Sequence, residues 1–241
     1  MENVNIVQPN MQSPGQEVTP ENILTARDVV KIYPLGSGDT LTVLDHVNYD
    51  FPKGRLIMLM GRSGSGKTTF MNLLSTLDDV TGGEIYYHTD SGEDVGFTTL
   101  NAHEKEEFRR YNIGFVFQSV ALIPVMTAYE NVDFGLRTAA YKGNRDERIH
   151  EVLEKVGLVD RAKHFPEELS GGERQRIAIA RAMAHKPSIL FADEPTGALD
   201  TTTGIYIAEL FKNMTRTENL TVIMTTHDIR LSELADVLIQ L

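Results

Sequence analysis

The 241 residues contain no cysteine, which excludes disulfides, zinc–thiolate sites and thiol catalysis and suits a reducing compartment. Long apolar runs are missing too. The longest uninterrupted one, Leu56-Ile57-Met58-Leu59-Met60, falls far short of the about 20 residues that span a bilayer. No charged-then-apolar segment opens the chain, so a soluble, non-secreted protein is expected, with any membrane role exercised through a separate partner. None of the seven histidines falls in a His-x-x-x-His spacing, which argues against a transition-metal site. Basic residues are outnumbered, 23 against 34 acidic, for a formal charge of -11. Broad nucleic-acid binding needs a basic face, so no nucleic-acid partner is expected.

What remains is a globular composition, 41% hydrophobic, enough for one large domain or two lobes sharing a core. Residues 1–22, rich in Asn, Gln, Pro, Ser and Glu, read as a flexible tail before a folded domain over 23–241. Leu24, Val29 and Ile32, then Leu41, Val43, Leu44 and Val47 after a Gly36-Ser37-Gly38 turn, predict an early antiparallel β region. The run Leu56 to Met60 reads as a strand buried on both faces. Phe70, Met71, Leu73, Leu74 and Leu77 follow at helical spacing. Glycine pairs and short apolar pieces over 81–100 predict a hairpin with a longer excursion, to which the sequence gives no function. From about 119 to 183 the pattern turns helical, read as a lobe inserted into an α/β core. The core resumes at Ile189 to Ala192 and Thr221 to Met224, and Ala235 to Leu241 fit a last strand, with no regulatory domain expected beyond it.

Between the buried strand and the helix stands Gly61-Arg62-Ser63-Gly64-Ser65-Gly66-Lys67-Thr68. Glycines at 61, 64 and 66 let successive amides turn inward, forming a concave nest for phosphate oxygens at a helix N-terminus. Lys67 can reach the β- and γ-phosphates, Thr68 is suited to magnesium, and Thr69 either supports the helix or bonds the α-phosphate. Further on, Ile189 to Ala192 deliver Asp193 and Glu194 to a strand end, where ligands of α/β folds bind. The plainer reading is a strand closed by solvated acids. Ser170-Gly171-Gly172-Glu173 fits a capping box, yet two consecutive glycines weaken a first turn unless something must approach the backbone closely.

This order of phosphate loop, Leu169-to-Glu173 segment, strand ending in Asp193-Glu194, and His227 after another apolar strand resembles the ATP-binding subunits of ABC transporters, from about Leu24 onward. The resemblance implies an α/β fold with a P-loop NTPase core, a mixed sheet flanked by helices, an N-terminal antiparallel β region and an inserted helical lobe. It implies ATP and Mg2+, with Thr68, Asp193 and Gln118 at the metal. Glu194 would be the general base, His227 in Thr225-Thr226-His227-Asp228 would contact the γ-phosphate, and Tyr33 would stack on adenine. Ser170, Gly171, Gly172 and Glu173 would close over the nucleotide bound by another copy's phosphate loop, making a head-to-tail dimer. Glu173 stands where many relatives carry Gln. Ala198-Leu199-Asp200 would bridge the two sites.

Gly197 and Tyr129-Glu130-Asn131-Val132 resemble the macrolide-export and lipoprotein-release branch. The implied function is ATP hydrolysis beneath a separate membrane permease, at the inner face of the cell membrane, exporting or extracting peptides, drugs or lipoproteins. A soluble ABC-type ATPase acting on nucleic acid or ribosomes is the rival, and a P-loop metabolite kinase a third reading that leaves Ser170 to Glu173 without work. The apolar stretch Val120 to Met126 is a candidate permease-docking groove, with burial inside the helical lobe as the alternative, and Arg174-Gln175-Arg176 is expected on an exposed face.

Overall fold

The computed structural model describes residues 5–7, 22–36 and 38–241. The expected tail over 1–22 thus lies largely outside the described residues; within it, β1 (Asn5–Val7) runs parallel to the last strand of the chain. Ser37 of the predicted turn also lies outside.

Two sheets form the framework. Strands β4 (Leu56–Met60), β7 (Ile113–Val116), β8 (Ile189–Ala192), β9 (Thr221–Thr226) and β10 (Val237–Gln240) join β1 in a six-stranded sheet of order β1-β10-β4-β9-β8-β7, parallel at every pairing. Strands β2 (Asn22–Pro34), β3 (Thr40–Pro52), β5 (Gly82–His88) and β6 (Asp94–Gly96) form a second, antiparallel sheet of order β3-β2-β5-β6. The two strand directions therefore occur in separate sheets, not mixed within one. Short turns suffice for β2–β3 and β5–β6, whereas parallel neighbours need long crossovers, here supplied by helices.

The apolar runs are continuous because the parallel strands are covered on both faces. Leu56, Met58 and Met60 point with Leu190, Ala192, Val222 and Met224 into one core, shared with α3 (Ala128–Thr138), α4 (Arg145–Lys155), α5 (Gly171–Met183) and α6 (Thr201–Thr217). Ile57, Leu59, Ile189, Phe191 and Ile223 point the opposite way, into a core with α1 (Lys67–Leu74), α2 (Ala102–Asn112) and the antiparallel sheet. This is the period-2 alternation of a strand, with both of its faces apolar. Phe70 packs there on Tyr49 and Phe51, with ring centroids 6.0 and 5.9 Å away, and so anchors α1 beneath the antiparallel sheet. The segment 81–100 contains the expected hairpin. The α2 helix that follows, closed by a reciprocal capping box between Asn101 and Glu104, was not anticipated.

Within the region read as a helical lobe, α3, α4 and α5 pack on one another, and Val132, Leu136, Ile149, Val152 and Ile177 join the same core as the sheet.

Candidate functional site

Four adjacent strands, β4, β9, β8 and β7, run parallel, so residues just past their C-terminal ends emerge at one edge. These are the phosphate loop after β4, His227 after β9, Asp193 and Glu194 after β8, and Gln118 after β7. Positions scattered over 160 residues of sequence meet by strand order alone.

The phosphate loop turns with Gly64 and Gly66 in the left-handed region, at φ 80° and 94°, which disfavours any side chain there. A Cβ on Gly61 would lie 2.5 Å from both the Leu241 carbonyl and Ser65 Oγ. Helix α1 starts at Lys67 with no side-chain cap. Helices α2 to α6 are capped by the side chains of Asn101, Thr127, Asn144, Ser170 and Asp200. First-turn amides without an intrahelical partner, beside a positive dipole end, suit an anion. Lys67 is 7% exposed, and its Nζ donates to the carbonyls of Gly61 and Arg62 at 3.0 Å each, inside the loop. The buried Ser65 Oγ has no hydrogen-bond partner in the protein.

Across from the loop, the Thr68 hydroxyl lies 3.3 and 3.2 Å from the Asp193 carboxylate oxygens. Buried Thr225, on β9, donates its hydroxyl to Asp193 Oδ1 at 2.7 Å and accepts from the Glu194 amide at 2.8 Å. One hydroxyl thus orients both acids. Glu194 has φ 42°, uncommon for a residue with a side chain. Gln118 Nε2 is 3.4 Å from Glu194 Oε2, and His227 Nδ1 is 3.4 Å from Glu194 Oε1 with its side chain 65% exposed. A Cβ on Gly197 would stand 3.5 Å from Gln118 Nε2 and 3.6 Å from Glu194 Oε2. Thr225 was missed by the sequence reading, its only trace being a threonine two positions before His227.

Tyr33 closes β2. Its hydroxyl donates to Asp78 Oδ2 at 2.7 Å. Burial, then the Asp78 carboxylate, raises the phenol above its ordinary value.

Ser170, Gly171, Gly172 and Glu173 stand apart from this cluster, since their hydrogen bonds stay local or reach Arg161 and none runs to the phosphate loop. The capping box forms in full. Ser170 Oγ accepts from the Glu173 amide at 3.2 Å, and Glu173 accepts from the Ser170 amide at 2.8 Å. The Ser170 amide first, and then Arg161, pull the Glu173 carboxyl down to about 2. The two glycines differ. A Cβ on Gly172 would fall 2.7 Å from Thr203 Cγ2, while one on Gly171 meets nothing nearer than Leu199 Cδ2 at 3.7 Å. Packing within the chain explains Gly172 and leaves Gly171 unexplained. Asp200, of the expected bridging segment, caps α6 through the Thr203 amide and hydroxyl at 3.1 and 2.6 Å.

Two expectations need correction. Arg174-Gln175-Arg176 is not an exposed face: Gln175 is 1% exposed, because it points from α5 into the helical packing. Arg174 and Arg176 are half-buried, bonded to the Leu169 and Val156 carbonyls at 2.7 and 2.8 Å. Nor is Val120 to Met126 a simple groove. Leu122 packs against the core, and fully buried Asn131 pins the loop, donating to the Ile123 and Met126 carbonyls at 3.2 and 3.0 Å. Val125 projects furthest, 81% exposed, beside exposed Ala121 and Pro124.

Comparison with known proteins agrees with this geometry. The family model described as ABC transporter matches residues 44–197. Relatives include the lipoprotein-releasing system ATP-binding protein LolD of Myxococcus xanthus, 44% identical over 86% of this chain and 90% of its own. The macrolide export ATP-binding/permease protein MacB of Rhodopirellula baltica is 45% identical over 86% of this chain, which spans 30% of that longer protein. Among solved structures, the dimeric ABC transporter cassette MJ0796 superposes with a TM-score of 0.79 at 39% identity, covering 90% of this chain and 94% of that one. Its post-hydrolysis dimer, bound to ADP and Pi, gives 0.78 at 38% identity. On the family match and these relatives, the chain belongs to the ABC transporter family, as an ATP-binding and ATP-hydrolysing subunit.

Proposed function

We propose that the cluster at Glu194 hydrolyses ATP with magnesium, that two copies enclose the nucleotide head to tail, and that the closure drives a separate membrane permease of the lipoprotein-release or macrolide-export kind. The observation that carries the catalytic assignment is the approach of Gln118 and His227 to the Glu194 carboxylate, each at 3.4 Å, beside the phosphate loop. The hydroxyl of Thr68, the carboxylate of Asp193 and the amide oxygen of Gln118 are hard oxygen donors that fit magnesium and would hold it. The ion would neutralise charge on the transferring phosphoryl.

The rest falls to the chain. The loop amides and Lys67 hold the triphosphate, releasing the ammonium from the Gly61 and Arg62 carbonyls. Glu194 takes the proton of the attacking water as its oxygen bonds to the γ-phosphorus and the bond to ADP breaks. His227 and Gln118 keep that carboxylate and the water in line. Tyr33 stacks on the base, and Gly171 admits the nucleotide held by the other copy. Localisation at the inner face of the membrane follows from the permease.

The permease would dock where Arg181 both holds the Ala121 carbonyl at 2.7 Å and lines a cavity of about 380 Å³, together with Arg109, Arg110, Phe115, Phe134 and His185. Arg110 pairs with Glu106 of the same lining at 2.7 Å; the remaining excess of guanidinium charge beside two aromatic rings suits a short helix that carries an acidic residue next to apolar anchors. One experiment addresses hydrolysis and docking together. Tagged Glu194→Gln is captured with ATP from detergent-solubilised cells, alone and combined with Phe134→Asp, and turnover is measured on the purified proteins. Expected are turnover lowered by about 10²- to 10⁴-fold with ATP binding retained, a polytopic membrane protein in stoichiometric amount, and its loss with Phe134→Asp. Near-normal turnover rejects Glu194 as base, and recovery of only ribosomal or DNA-bound partners favours a soluble ATPase.

A further inference from the structure

Tyr33 is not held by packing alone. Its hydroxyl donates to Asp78 Oδ2 at 2.7 Å, and the other oxygen of that carboxylate accepts from Lys31 Nζ, also at 2.7 Å. Lys31 is a buried lysine, two residues before Tyr33 on β2. Its ammonium donates as well to the Asp79 carbonyl at 2.6 Å and stands 4.8 Å from the centroid of the Tyr33 ring. One ring face is thus occupied by a cation, which leaves the opposite one for a base. The Asp79 amide binds Asp78 Oδ1 at 2.7 Å, which fixes the carboxylate from its own backbone. Burial pushes Asp78 up, but the hydrogen bonds from Lys31 and Tyr33 outweigh it and hold the carboxyl below its ordinary value. Asp78 therefore stays ionised and accepting across the neutral range.

A buried lysine is costly unless paired. A surface aromatic of this kind could as easily pack by its ring alone. Here the chain uses a half-buried ion pair to restrain one phenol, and Asp78 is itself fastened to the helix that opens with Lys67 and Thr68, its amide donating to the Asn72 carbonyl at 3.2 Å.

We infer that Asp78, held by Lys31, is a positioning residue for nucleotide binding: it fixes the Tyr33 ring through its hydroxyl and ties the base-stacking surface to the phosphate-binding helix. The inference rests on Tyr33 being the base-stacking residue. Its consequence is specific, in that losing the tether weakens ligands that carry a base and spares those that carry phosphates alone.

Calorimetric titrations of the full chain with ADP and with inorganic pyrophosphate test this, using wild type, Tyr33→Phe, Asp78→Ala, Asp78→Asn, Tyr33→Ala and the double variant Tyr33→Phe/Asp78→Ala. Freeing one hydrogen bond to a charged group should weaken ADP by about 3- to 10-fold in Tyr33→Phe and in Asp78→Ala. Pyrophosphate affinity should stay within about 2-fold, and the double variant should bind ADP no more weakly than the worse single one, because both cut the same link. Asp78→Asn, which keeps an acceptor, should retain most of the affinity. Equal losses for ADP and pyrophosphate would mean that Asp78 merely supports α1, and would overturn the inference. So would full ADP affinity in Tyr33→Phe and Asp78→Ala alongside a loss in Tyr33→Ala, where the ring acts untethered. Unchanged ADP binding in Tyr33→Ala removes the stacking role itself and the inference with it.

Discussion

At the scale of single residues, the acids at the sheet edge owe their orientation to a neutral hydroxyl. Thr225 is fully buried and bridges the Asp193 carboxylate and the Glu194 amide, so removing it strands a carboxylate oxygen and an N–H at once. Thr225→Val keeps the shape and β-branching of the side chain and should cost about 1–3 kcal/mol of stability. It should also slow turnover more than it weakens ATP binding, since the loop contacts are untouched. Urea unfolding with steady-state ATPase assays checks both, and a variant as stable and active as wild type would deny the bridge. Asp193 and Glu194 were legible in sequence because ionisable groups closing an apolar strand stand out. Thr225 was not, because its partners reach it only through the pairing of β8 with β9, in which Ala192 faces Met224. The positive φ of Glu194 is equally invisible from residue types, as nothing but the fold imposes it.

At the scale of elements, helix α5 combines a complete capping box with one glycine that packing requires and one that it does not. Alanine is favoured over glycine within helices by about 1 kcal/mol, so Gly171→Ala should leave thermal stability unchanged or raised, while Gly172→Ala, pressed against Thr203, should lower it. ATPase activity should nonetheless fall in Gly171→Ala if a partner's nucleotide approaches that backbone, and full activity there would remove the need for such an approach. The box also predicts an acid response. Glu173 lies at about 2 when folded against an ordinary 4.5, so its stabilising contribution is complete above pH 4.5 and is lost as pH falls toward 2. Glu173→Gln should unfold with a shallower pH dependence over that window, as followed by circular dichroism. The strand Leu56 to Met60 and the cap at Ser170 were readable because each is a local pattern. The burial of Gln175 was not, since α5 is covered on the very face that Arg174 and Arg176 made look solvated, their guanidinium groups turning back to helix-end carbonyls.

At the scale of the whole molecule, a parallel sheet gathers its site at one edge, yet the Ser170-to-Glu173 segment makes no hydrogen bond to the phosphate loop of its own chain. The resemblance supplied the dimer before any geometry did. Periodicity and motif order specified the layers, but no local pattern encodes which surface of one copy meets which of another. What the geometry adds is the uncapped α1 of one copy and the sterically unexplained Gly171 of the next, two halves that a head-to-tail pair would bring together. Each chain carries a formal charge of -11, and bound nucleotide makes it more negative, so association works against long-range repulsion. Salt weakens such repulsion as the screening length shortens, from about 30 Å at 0.01 M to about 8 Å at 0.15 M. With ATP and magnesium held saturating, the dimer of Glu194→Gln should therefore tighten as ionic strength rises across that range, a shift that sedimentation equilibrium resolves. Looser association at higher salt would place opposite charges across the interface as its main support, and an absence of dimer at any salt would leave Ser170 to Glu173 a helix cap and no more.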